Sequence, residues 1–444
     1  MKYLLSVTLF LVCCVTISKA QYPVVLSERD QAKIIDELLD DRLRTVLPAL
    51  MRREGFDMWV LISRENNEDP VLKTMLPATW LAARRTTMLV VFDKGADKEM
   101  EYLAVARYDV GKIFKRSWDP DQQPDQWVQL GKIIEERNPK KIGINKAPNY
   151  GHADGLTAND YDNLLRVLPK KLHEHVTSAE KLAVGWLETR TEKEMAIYPQ
   201  LCRIAHMIIA EGFSDKVIQP GVTTTEDVVW WYRQKITELN LETWFHTSVS
   251  IQRNEAEAIT AKRPQPLVIQ PGDLLHVDFG ITYLRLNTDT QQHAYILRPG
   301  ETEAPEYLQK AFKRGNQLQD IFTGNFKEGK TGNQVLTESR KQAIDLGITP
   351  SIYTHPIGYH GHASGTTLGM WDMQGGVPNT GDYPLHKNTA YSIELNASVN
   401  VAEWKKEVRI QLEEDAFFDG NVVRYIDGRQ TEIILIPKPI ESVK

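Results

Sequence analysis

Acidic side chains set inside apolar strands constrain this chain more than any other feature. Pro271-Gly272-Asp273 signals a turn, and Leu274-Leu275-His276-Val277-Asp278-Phe279-Gly280 follows as a strand with a carboxylate among apolar neighbours. Such a carboxylate is costly to ionise unless it is paired or bound to metal. Asp289 comes eleven residues later in Asn287-Thr288-Asp289-Thr290, ahead of the strand-like Ala294 to Leu297, so two antiparallel strands can aim both groups at one point. Glu394 lies in Tyr391-Ser392-Ile393-Glu394-Leu395, another apolar strand. Arg409-Ile410-Gln411-Leu412-Glu413 alternates as a half-buried strand does, which predicts Arg409, Gln411 and Glu413 on one face. Between them, His355-Pro356-Ile357-Gly358-Tyr359-His360-Gly361-His362 gathers three of the eleven histidines into eight residues. Imidazole is the usual borderline ligand for Zn, Mn, Fe or Co. Taken singly, each segment also fits a plainer role: hairpin surface carboxylates, solvated loop histidines or a polar strand face.

The whole chain has 444 residues, 42% of them apolar and 25% charged, which is ordinary for a globular protein and too long for one small domain. Lys and Arg number 53 against 59 Asp and Glu, a net charge of −6, so there is no basic field to hold nucleic acid or anionic lipid. Met1 to Ala20 has one early Lys, an apolar run from Tyr3 to Ile17 and small residues at Ser18 and Ala20, the pattern of a signal peptide cut before Gln21. A lipoprotein reading through Cys13 or Cys14 is the alternative. The mature chain would then be periplasmic or secreted, would keep only Cys202, and would carry 51 basic against 59 acidic residues, a charge of −8. No later stretch is long and apolar enough to predict a membrane span.

Ser27 to Asp30 has capping-box spacing before Ile34, Ile35, Leu38 and Leu39, which predicts an opening amphipathic helix that continues or restarts through Leu43 to Met51. Met58 to Ile62, Thr87 to Phe92, Tyr102 to Ala106 and Lys141 to Ile144 read as strands, with a helix around Trp127 to Glu136, so the first part is an α/β unit. Thr191 and Glu194 form a second capping box ahead of Ile197, Leu201, Ile204 and Ile208 on one helical face. The expected division is therefore a leader at 1–20, a first domain at 21–185 and a second at 186–444, an α+β protein as a whole.

The order and spacing of the chemical residues resemble the pita-bread metallopeptidases of family M24, which include Xaa-Pro dipeptidase, aminopeptidase P and methionine aminopeptidase. The first part resembles the creatinase-type N-terminal domain of the proline-specific members. The resemblance implies two divalent ions per chain (Mn, Co, Zn or Fe), with Asp278 on one, His355 and Glu394 on the other, and Asp289 and Glu413 bridging. Gly358 falls where the motif has its glycine, and His362 resembles the family's substrate-side histidine. His360 is a rival ligand to His355. The implied activity is hydrolysis of the bond before proline in dipeptides or short peptides by metal-activated hydroxide, with Glu394 and His362 catalytic. Dimers or tetramers are common in this branch, and the resemblance implies a homo-oligomer, a dimer first of all.

The pattern also breaks in places. Arg409-Ile410-Gln411 superficially matches the family's Arg-Ile-Glu, which would put a neutral amide at the bridge; shifting the register by two places Glu413 there instead, with Gln411 where the family has Arg. The family's histidine upstream of the first Asp ligand falls on Ala261, and His246 lies farther upstream. Arg285 and Leu286 stand where a Gly-Tyr pair is expected, and the interval from His355 to Glu394 is longer than usual. A divergent subgroup is expected, and a non-catalytic descendant that binds peptide or metal is the competing reading. Asn396-Ala397-Ser398 matches a glycosylation sequon within a predicted buried strand.

Overall fold

The computed structural model describes residues 22–95, 98–254 and 267–439; the leader and Ala261 lie outside them. Ser27 caps the Glu28–Glu54 helix by accepting the Asp30 N–H, and Gly55 ends it in the left-handed region at φ 69°. The helix is thus continuous where the sequence allowed a restart. Behind it stands a six-stranded sheet of β1 (Met58–Arg64), β2 (Thr86–Phe92), β3 (Glu101–Ala104), β4 (Lys115–Arg116), β5 (Ile142–Ile144) and β6 (Val176–Ser178), in the order β4-β3-β2-β1-β5-β6. Alternation along β1 sends Trp59 and Leu61 into a core with the first helix, and Met58, Val60 and Ile62 into a second core with the Gln126–Arg137 and Ala158–Val167 helices. Both faces are covered, which is why β1 and β2 read as near-continuous apolar runs.

The Glu180–Glu188 helix runs across the expected division at 185 and gives Leu182, Val184, Trp186 and Leu187 to the core of the first helix. Both halves of the Thr191–Glu194 capping box then form, and the Glu192–Gly212 helix begins. The second part holds β7 (Ser248–Gln252), β8 (Leu274–Phe279), β9 (Thr282–Tyr283), β10 (Leu286–Asn287), β11 (Thr290–Ile296), β12 (Thr349–Ile352), β13 (His355–Pro356), β14 (Thr389–Ser392), β15 (Leu395–Val401), β16 (Lys406–Leu412), β17 (Asp415–Phe418), β18 (Val423–Tyr425) and β19 (Ile434–Ile436). Apart from the β9–β10 hairpin they form three sheets, ordered β19-β11-β8-β7, β12-β15-β16 and β13-β14-β17-β18. Leu201, Ile208, Val228 and Tyr232 of two helices pack on Val277 and Phe279, while Leu318, Phe322 and Val335 of the Glu306–Gly324 and Gly332–Asp345 helices pack on Leu395 and Ile410.

Two strand breaks organise the interior. β14 passes into β15 through Ile393 and Glu394, and β16 passes into β17 through Glu413 and Glu414. Leu395 pairs with Leu412 on one side of the breaks and Ser392 with Asp415 on the other, so Glu394 and Glu413 face each other across the gap between two sheets. Glu413 therefore lies just beyond the strand face that the sequence predicts for Arg409 and Gln411.

The two parts are joined by buried charge. Arg42 of the first helix donates to Glu194 Oε2 at 2.8 Å, to the Thr189 carbonyl at 2.5 Å and to the Trp186 carbonyl. Arg190 donates to the other Glu194 oxygen at 3.3 Å, and both guanidinium groups lie over the Tyr359 ring, at 5.1 and 5.0 Å. Arg285, in the β9–β10 turn, reaches the Leu76 and Pro77 carbonyls at 2.6 and 3.1 Å, a role that a Gly-Tyr pair could not fill. Among the described residues no helix is long and apolar enough to cross a membrane.

Candidate metal centre

Asp278 in β8 pairs in register with Gln291 in β11, and His276 with His293, so these four side chains share one face of the sheet. Asp289 lies immediately before β11, 3% exposed, with its backbone N–H on the Asp415 carboxylate at 3.3 Å. His355 opens β13 opposite Ser392 of β14. Its Nδ1 donates to the Pro356 carbonyl at 3.0 Å, and its Nε2 faces Asp289 Oδ2 at 3.7 Å and Glu413 Oε1 at 3.6 Å.

Ligand atoms converge in three overlapping groups among the described residues: Asp278, Asp289 and Glu413; His355, Glu394 and Glu413; and Asp289, His355 and His362, each within 4.8 Å. Glu413 and Asp289 are each shared by two groups, and His355 by two. His362 is exposed, edge-on to His355 at 4.6 Å and to Trp244 at 5.0 Å. The rival His360 instead stacks on His152 at 3.9 Å and 14°, away from the carboxylates. The Gln411 backbone N–H donates to His293 Nε2 at 3.0 Å. His246 lies on an exposed helix-side surface, 2.9 Å from Arg233.

The electrostatics ask for a cation. Burial, then the Glu413 charge, pushes the Asp278 carboxyl up to about 8. The same two causes hold Asp289 and Glu394 well above the usual carboxylate range. Like charges so close cannot all ionise in a dry site without counter-ions. Two buried ligand atoms, Asp289 Oδ1 and His355 Nε2, have no hydrogen-bond partner. Four carboxylates and one imidazole fit two divalent ions in charge and in ligand type.

Several site residues escape the sequence reading. Gln291 donates to Glu394 Oε1 at 2.5 Å and to Glu413 Oε2 at 2.6 Å, and Ser392 donates to Glu413 Oε1 at 2.6 Å. His276 Nε2 lies 2.8 Å from Gln291 Oε1, and burial pushes its imidazole down to about 4, so it is neutral. His276 stands two residues before Asp278, hence on the same strand face, and that period-two signal could have found it. Trp244 packs against Gly361, where a Cβ would meet the indole at 2.2 Å.

A mixed α+β chain whose buried carboxylates and histidine converge this way falls in the class of metal-dependent hydrolases. Residues 198–417 match the model of metallopeptidase family M24, which makes this part of the chain a domain of that family. Similar solved structures include an X-Pro aminopeptidase from Thermotoga maritima, at TM-score 0.61 and 15% identity, covering 87% of this chain and 99% of that one. A Xaa-Pro dipeptidase from Bacillus anthracis superposes at TM-score 0.55 and 15% identity, covering 92% and 100%. A prolidase from Pyrococcus furiosus gives 0.53 and 13%, covering 86% and 99%. These likenesses establish the shared two-part fold. No curated protein matches the chain in sequence.

Proposed function

We propose that the protein is an exported, metal-dependent peptidase that hydrolyses Xaa-Pro bonds of dipeptides or short peptides. The observation that carries this reading is the meeting of Asp278, Asp289, His355, Glu394 and Glu413 with two buried, unpartnered ligand atoms among them. Asp278, Asp289 and Glu413 would hold one cation and His355, Glu394, Asp289 and Glu413 the other; bound there, divalent ions supply Lewis acidity for hydrolysis. The Glu394 carboxylate, one of the converging groups, would take up a proton and pass it to the leaving nitrogen. His362, exposed beside His355, can donate to the developing oxyanion. Residues 1–20 support export to the periplasm or beyond, and a homodimer fits the family resemblance.

Gln411, standing where the family has Arg, favours a second reading: a peptide- or metal-binding protein that kept the fold and lost turnover. One experiment separates them. Purified residues 21–444 are assayed on Xaa-Pro dipeptides and longer peptides with Mn, Co or Zn, beside Glu394→Ala. Turnover that the substitution lowers by at least about 1,000-fold supports the peptidase; bound metal without turnover supports the binding protein.

A further inference from the structure

The strongest unassigned device in the molecule is a hydrogen-bonded relay that runs sideways across three strands into the carboxylate cluster. Ser250 in β7 and His276 in β8 are register partners, and Ser250 Oγ lies 3.4 Å from His276 Nδ1. His276 Nε2 lies 2.8 Å from the Gln291 carbonyl oxygen in β11, an atom that can only accept, so Nε2 carries the proton and Nδ1 receives the serine hydroxyl. That bond fixes which way the Gln291 amide points. Its nitrogen then has two N–H groups left, and each goes to a different carboxylate: one to Glu394 Oε1 at 2.5 Å, one to Glu413 Oε2 at 2.6 Å. Gln291 is 3% exposed and His276 5%, so neither bond competes with bulk water.

The consequence is geometric. Each carboxylate spends one oxygen on the same amide, which turns the other toward the cluster; Glu413 Oε1, which also accepts from Ser392 Oγ at 2.6 Å, is the atom 3.6 Å from His355 Nε2. We propose that Gln291, locked by His276, is a positioning residue that turns Glu394 and Glu413 toward the divalent ions and sets the affinity of the ion they share. A rotated amide would present its carbonyl oxygen to two carboxylates, which repel it, so the histidine matters through the glutamine and not by itself. The inference rests on the metal-centre reading above.

The test is calorimetric titration of the mature protein with Mn2+, with urea unfolding of each metal-free variant as a folding control. Gln291→Met keeps the length and loses both donors; Mn2+ affinity at one of two sites is expected to fall about 10- to 100-fold, the range typical when a partner of a metal ligand is removed. His276→Leu is expected to weaken binding by a smaller factor in the wild-type background and to change nothing further in Gln291→Met. Unaltered Mn2+ affinity in Gln291→Met, or a His276 effect of equal size with and without Gln291, overturns the relay. Should Gln291→Met fail to fold, unaltered affinity in His276→Leu overturns it equally. A wild-type protein that binds no Mn2+ is a different result: it removes the metal centre itself, and the relay's role with it.

Discussion

Glu188 shows how far burial moves a carboxyl in this interior. Its side chain is fully buried, Tyr383 donates to one oxygen at 3.0 Å, and the other oxygen has no partner. Burial pushes it up to about 8, and Tyr383 and the more distant Arg53 offset only part of that. Because the folded state holds this proton more tightly than the unfolded chain, its contribution to stability is complete below the ordinary glutamate range and is lost as pH rises through about 8. Glu188→Gln should therefore unfold at higher urea than wild type above pH 8, by on the order of a few kcal/mol, with the difference vanishing toward pH 4. Parallel urea midpoints from pH 4 to 9 check it; a difference that grows toward acid contradicts it. Gly361 makes a second prediction at this scale. An added methyl would meet Trp244 at 2.2 Å, so Gly361→Ala must shift the indole or the His362 loop. A misplacement of about 1 Å costs on the order of 100-fold in turnover, which steady-state kinetics would read as lost kcat with metal binding retained.

Among the elements, the first helix and the Glu192–Gly212 helix are tied through Arg42, Glu194 and Arg190, all buried, with Tyr359 of the histidine loop lying against both guanidinium groups. Arg42→Met leaves Glu194 paired with Arg190 but strips its other oxygen and the buried Thr189 and Trp186 carbonyls of their donor, so it should cost about 1–3 kcal/mol in urea unfolding. A midpoint within error of wild type would show that Glu194 does not depend on Arg42. This tie also marks what a linear reading can and cannot see. The helix caps at Ser27 and Thr191 and the strands at 58–64 and 86–92 were legible because each is encoded by neighbours in sequence. Asp278, Asp289, His355 and Glu394 were legible as chemistry, since carboxylates and histidines stand out against apolar runs. Their placement was not: Glu394 and Glu413 sit at breaks where strands change sheets, and no local pattern announces a break shared by two distant strands. Gln291 went unseen because an amide looks unremarkable until two carboxylates 103 and 122 residues away reach it. Nothing local in the sequence marks Arg42; its contact with Glu194, 152 residues on, makes it structural.

For the whole molecule, the two parts are coupled through the site that lies near their junction. The histidine loop is pinned by Arg190 and Tyr359 on one side and stacks on His152 of the first part on the other. Cations that bind only the folded centre must stabilise the entire chain, by about 2.7 kcal/mol per site at one hundred times the dissociation constant. Melting in Mn2+ should occur at higher temperature than in chelator, and chelation should return it; coincident melting curves would mean that the carboxylates are neutralised by protons alone. The central claim is that these carboxylates and His355 form a two-ion centre. Its most direct test is anomalous diffraction from crystals soaked in Mn2+. The account predicts two peaks, one among Asp278, Asp289 and Glu413 and one among His355, Glu394 and Glu413, with Gln411 and His360 free of metal. No peak in that cluster, or a peak held by Gln411 or His360, would contradict it.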